Sequence, residues 1–117
     1  MGHVHVEAVI TGLKGSEKVK ALADTGATYS MLPLDIAKRL EVIETPFTER
    51  VKLADGSTRS MPVGLCYLEI ADRRIVSKPL IGGDEPLVGV LDMEALGIKI
   101  DPTTGTIEFL REYTGRI

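Results

Sequence analysis

Asp24 ends the small and apolar run Ala21-Leu22-Ala23 and is followed at once by Thr25-Gly26-Ala27-Thr28. An ionised carboxylate set against an apolar surface costs several kcal/mol unless donors or a partner charge compensate it, so acids in such places often carry function. The bland reading is a turn, because Asp and Gly are ordinary turn formers. Other residues with chemical potential are few. His3, His5 and Glu7 share one face of an alternating segment, but no further His exists and a site there would be open and close to a chain end, so no metal or other cofactor is expected. Cys66, the single cysteine, excludes an intramolecular disulfide and reads as a small buried strand residue.

The elements that must position Asp24 are mostly strands and turns. Val4, Val6, Ala8 and Ile10 alternate with polar residues, the period of a half-buried strand. Gly12 to Ser16 punctuates a hairpin, and Glu17 to Ala23 delivers Asp24 to its turn. Tyr29 to Leu32 reads as a short strand. Pro33 suits the first turn of a helix in which Leu34, Ile36, Ala37 and Leu40 recur at helical spacing. Glu44-Thr45-Pro46 breaks the pattern, and a strand resumes at Val51-Lys52-Leu53. Ala54-Asp55-Gly56-Ser57 is a hairpin signal, since Asp-Gly supplies the positive φ that tight turns require. Gly64 to Ile70 and Arg74 to Leu80 form a further hairpin through Ala71-Asp72-Arg73, and Leu87 to Leu91 reads as a buried strand. A short helix from Asp92 to Leu96 stops at Gly97. Ile98 to Ile100, the turn Asp101-Pro102-Thr103-Thr104-Gly105 and Thr106 to Leu110 make the last hairpin. The expected fold class is mainly β, a small closed barrel with one or two helices.

At 117 residues and 44% hydrophobic, residues 1–117 are expected to form one domain with a real core. With 14 basic against 17 acidic residues the net charge is -3, and aromatic residues are scarce, so nothing points to nucleic acid. No apolar run is long enough to span a membrane and the first residues lack the apolar centre of a secretory signal, so a soluble, cytoplasmic protein without a membrane partner is expected.

Asp24-Thr25-Gly26-Ala27 after an apolar strand, Ser30-Met31-Leu32-Pro33 beyond it, and Leu87-Val88-Gly89 further on resemble, in their ordered combination, the retropepsin-like aspartic proteases. The resemblance spans roughly Val4 to Gly97. In that family an apolar strand runs into Asp-Thr-Gly-Ala, a flap hairpin follows, and two apolar residues with a Gly close a psi-shaped loop around the active site. It implies an aspartic endopeptidase with Asp24, Thr25 and Gly26 as its catalytic turn. Thr25 would bond across the dimer axis. Ala27, the flap tip Asp55, Gly56 and Ser57, and Leu87 and Val88 would contact substrate.

The chemistry then dictates an assembly. Peptide hydrolysis without a metal or a nucleophilic side chain needs one group to take a proton from water and another to supply one to the carbonyl oxygen. Two carboxylates about 3 Å apart do this by sharing a single proton, because both cannot ionise. One Asp-Thr-Gly per chain means that the second carboxylate comes from a second copy, a symmetric homodimer with the two Asp24 residues on its axis. The partners expected are therefore a peptide or protein substrate and a second copy of the chain.

Departures from the retroviral pattern limit what carries over. Where retroviral enzymes often have an acidic residue after the Ala and an Arg after the closing Gly, Thr28 and Val90 stand here. The hairpin after Gly97 is closer to the single-domain cellular and prokaryotic members. Asp24-Thr25-Gly26-Ala27-Thr28 also fits the Asp-x-Gly-x-Thr phosphate loop of actin-like ATPases and sugar kinases, but those folds need two α/β lobes for which this chain has neither the length nor the helices. The competing reading is a retropepsin-like domain that dimerises, or holds an extended peptide under its flap, without cutting it.

Overall fold

The computed structural model describes residues 3–53, 55–101 and 103–111. Among the described residues, ten strands and two helices follow one another as β1 (His3–Gly12), β2 (Gly15–Asp24), β3 (Met31–Leu32), α1 (Leu34–Leu40), β4 (Ile43–Lys52), β5 (Thr58–Ile70), β6 (Arg73–Ser77), β7 (Leu80–Ile81), β8 (Leu87–Val88), α2 (Val90–Leu96), β9 (Ile98–Asp101) and β10 (Thr106–Phe109).

Six of the strands close on themselves. Neighbours run β1-β2-β8-β3-β7-β5, and β5 returns to β1 through Val9 opposite Glu69, Ile10 opposite Leu68 and Thr11 opposite Tyr67. The result is a mainly β ring of hydrogen-bonded strands, as expected from the alternation in the sequence. β5 can serve so many neighbours because it is 13 residues long; it also carries β4 and β6. β9 and β10 form a separate two-stranded ribbon.

Alternation explains where the core sits. Val4, Val6, Ala8 and Ile10 point inward from β1, and the register places Val4 opposite Ala23 and Val6 opposite Ala21, so one face of this hairpin is continuously apolar. Ile36, Ala37 and Leu40 close one side from α1, and Met93 and Leu96 from α2. Leu32, Met61, Leu80 and Leu96 are at most 2% exposed, each such side chain contributing about 1.5–3 kcal/mol of burial. Both helices end on a left-handed residue, Glu41 for α1 and Gly97 for α2, whose amides return to carbonyls of the last turn. No helix among the described residues is long and apolar enough to cross a membrane.

Several boundaries differ from those read in the sequence. The strand expected over Tyr29 to Leu32 shrinks to Met31–Leu32. Pro33 stands just before α1, at its N-cap, rather than in its first turn. Glu44-Thr45-Pro46 does not interrupt β4, because a bulge between Glu44 and Thr48 absorbs the proline that cannot donate, and the Thr45 hydroxyl takes over by donating to Val63 O at 2.7 Å. Likewise β5 begins at Thr58, not Gly64, running through Pro62. The strand expected from Arg74 to Leu80 runs from Arg73 to Ser77, and Pro79 separates it from β7, which pairs β3 as well as β5. Leu87 to Leu91 is not one buried strand: β8 stops at Val88, Val90 and Leu91 open α2, and Leu91 is 51% exposed. Of the expected turns, Ala54 and Pro102 lie outside the described residues.

Candidate active site

Asp24 is the last residue of β2, between His3 of β1 on one side and the β8 strand on the other, where Ala23 faces Val88. Ala23 is fully buried and Asp24 half-buried, so the strand carries its carboxylate from the core to the surface. The turn that follows is closed by its own groups. Ala27 N donates to Asp24 O at 3.2 Å, and Gly26 N donates to Asp24 Oδ1 at 2.8 Å, which orients the carboxylate over the turn.

β8 threads between the two strands that flank this turn, parallel to β2 through Leu22 opposite Leu87 and antiparallel to β3 through Met31 opposite Leu87. This is the psi-shaped loop. It is pinned by the start of α2: Val90 N donates to Ala27 O at 2.8 Å and Leu91 N to Thr28 O at 3.2 Å. The first amides of any helix lack partners inside it, and here the Asp24 turn supplies them. A second set of bonds lies behind. Gly89 N donates to Ser30 Oγ at 3.0 Å, and Ser30 Oγ donates to Asp92 Oδ2 at 2.6 Å. Ser77 Oγ donates to the same oxygen at 2.7 Å. The Asp92 charge also reaches Cys66, whose thiol is pushed up to about 12, first by burial and second by that carboxylate.

The structure brings Asp24, Thr25, Gly26 and Ala27 together with Leu87 and Val88. Val88 points into the core at 2% exposed, whereas Leu87 is half-buried on the other face. Asp55, Gly56 and Ser57 form the exposed tip of the β4-β5 hairpin, with Gly56 at φ 90°. Asp55 Oδ1 accepts from Ser57 Oγ at 2.6 Å and from Ser57 N at 2.9 Å, and these bonds, the hydroxyl's first, hold its carboxyl below the usual range. The hairpin meets the segment after Asp24 on its first arm, where Tyr29 Oη donates to Glu49 Oε1 at 3.4 Å. Between its arms and the β7-β8 connection lies a cavity of about 590 Å³ lined in part by Met31, Leu53, Arg59, Met61, Gly83 and Asp84. His3, His5 and Glu7 are exposed on β1, with His5 Nε2 3.9 Å from Glu85 Oε2.

Sequence reasoning missed Ser30, Ser77 and Asp92. A signal existed for one of them, since alternation from Ile75 through Val76 puts Ser77 on the inward face of β6.

A family model described as aspartyl protease matches residues 6–95. No curated protein matches the chain in sequence. Among solved structures, the EIAV protease complexed with the inhibitor HBY-793 is 18% identical, with a TM-score of 0.68 over 83% of this chain and 90% of that one. The retroviral protease-like domain of Ddi1 from Leishmania major is 16% identical, covering 96% of this chain and 91% of its own with a TM-score of 0.65. The simian foamy virus (mac) protease is 24% identical over 76% of this chain and 90% of its own, with a TM-score of 0.55. With most of its length matched by the family model and its strands arranged as in these structures, the chain belongs to the retropepsin-like aspartyl protease family.

Proposed function

We propose that this protein is an aspartic endopeptidase that works as a homodimer, each chain contributing one Asp24. The ionised carboxylate of the pair takes a proton from a water as its oxygen attacks the scissile carbonyl carbon, and the protonated one gives its proton to the carbonyl oxygen. The tetrahedral intermediate then collapses with its C–N bond breaking, the amine leaving with a proton returned through the pair. Thr25 bonds across the axis and Gly26 allows the two turns to approach. Ala27 and Leu87 contact the peptide, Val88 backs them from the core, and the tip Asp55-Gly56-Ser57 closes over the bound chain.

The single observation that carries this reading is the placement of Asp24. It lies at the end of a ring strand, beside a psi-shaped loop, with its carboxylate oriented by the Gly26 amide at 2.8 Å. Family membership supports it, and so does the inhibitor complex of the EIAV protease, an enzyme of similar fold. Asp24→Asn tests it by keeping the shape and removing the shared proton. Peptide cleavage should fall by at least about 1,000-fold while the melting temperature changes little. Retained cleavage would move the chemistry elsewhere.

A further inference from the structure

Two hydroxyls and one carboxylate meet behind the Asp24 turn, and the proposed chemistry uses none of them. Ser77 is 2% and Ser30 7% exposed, and both donate to Asp92 Oδ2, at 2.7 and 2.6 Å. A hydroxyl has one hydrogen, so Ser30, having given its own to Asp92, offers lone pairs to the Gly89 amide at 3.0 Å. The directions are therefore fixed: Gly89 donates to Ser30, Ser30 to Asp92, and Ser77 to Asp92. Short bonds to an ionised acceptor are among the strong ones, and they offset the cost of desolvating the carboxylate.

We propose that Asp92 is a positioning residue for the Asp24 turn, acting through the start of α2, an inference that rests on the proposed function above. The route is short. Asp92 and Ser30 fix Gly89, and the next two amides, Val90 and Leu91, donate to the carbonyls of Ala27 and Thr28. Ala27 in turn donates to Asp24 O, and Gly26 to the Asp24 carboxylate. Ser77 braces the same oxygen from β6, a strand paired to β5 outside the ring, so the network ties β6, the psi loop and the segment after Asp24 at one atom. Two carboxylates that share a proton tolerate little displacement. A misplacement of about 1 Å costs on the order of 100-fold in rate, and in a symmetric dimer each variant acts on both halves of the site.

The experiment combines amide hydrogen exchange with steady-state kinetics on Asp92→Ala, Asp92→Asn and Ser77→Ala. In Asp92→Ala, exchange at Gly89, Val90 and Leu91 should rise by at least about tenfold more than at Ala8 and Ile10 in the β1-β2 ladder. Its kcat should fall on the order of 100-fold with KM changed by less than about threefold. Asp92→Asn, which keeps an acceptor oxygen without the charge, should lie between Asp92→Ala and the native protein on both readouts, and Ser77→Ala should do the same. A uniform rise in exchange across the chain, or no rise at Val90 and Leu91, would overturn the proposal. If the native protein cleaves no peptide, the functional reading fails, and the exchange pattern alone still decides whether Asp92 holds the turn.

Discussion

Gly89 lies against the main chain of Tyr29 so closely that a Cβ at Gly89 would stand 2.5 Å from the Tyr29 carbonyl carbon and 2.6 Å from its oxygen. Its φ of -92° is one that any residue adopts, so the need for glycine is contact, not conformation. Gly89→Ala must therefore push apart the psi loop and the segment after Asp24, neither of which is a flexible side chain. We expect a loss of about 1–3 kcal/mol in chemical denaturation and a larger proportional loss of peptidase activity. Native-like stability with full activity would show that the two segments separate freely.

Gly56 is the opposite case. A Cβ there meets nothing within 4 Å, but φ is 90°, a conformation that β-branched residues resist. Gly56→Val should disturb the tip of the β4-β5 hairpin and lower kcat/KM, while Gly56→Asn, which tolerates positive φ, should keep most of the activity. Because residues 55–60 are exposed, the melting temperature should barely move in either variant. Equal kinetics in the two variants would remove this hairpin from the catalytic cycle.

How much of this was legible in the sequence follows from the length of each pattern. β1 and β2 span ten residues each, enough for alternation to declare itself, and the Asp24 turn is legible in its apolar approach and its Thr-Gly. The strands that close the ring beside Asp24 have two residues each, β3, β7 and β8, and two residues have no period. Their positions come from the bonds they make to neighbours distant in the chain. Val90 and Leu91 look like strand in the sequence for a similar reason: an apolar run does not announce that its amides will cap a helix against Ala27 and Thr28. The bond from Ser30 to Asp92 joins residues 62 apart, beyond the reach of any local signal.

Cys66 makes a pH prediction whose sign is fixed by burial. Its thiol is raised from 9.0 to about 12, so the folded state holds the proton more tightly than the unfolded chain does. The stability linked to it is fully present below about pH 9 and is lost as pH rises toward about 12. At pH 8 an aromatic disulfide reagent should modify the native protein at least about 100-fold more slowly than the protein in denaturant. Rapid native labelling would mean that β5 opens readily at this point.

The two-carboxylate mechanism makes half a site per chain, and its test is a count. A peptide-like inhibitor carrying a hydroxyl on a tetrahedral carbon in place of the scissile carbonyl should bind tightly and stabilise the dimer by mass action. Calorimetric titration with sedimentation of the same samples measures both quantities at once. The account predicts saturation at one inhibitor per two chains, a sedimenting dimer, and no tight binding by Asp24→Asn. Saturation at one inhibitor per chain, with the protein remaining a monomer, would contradict it.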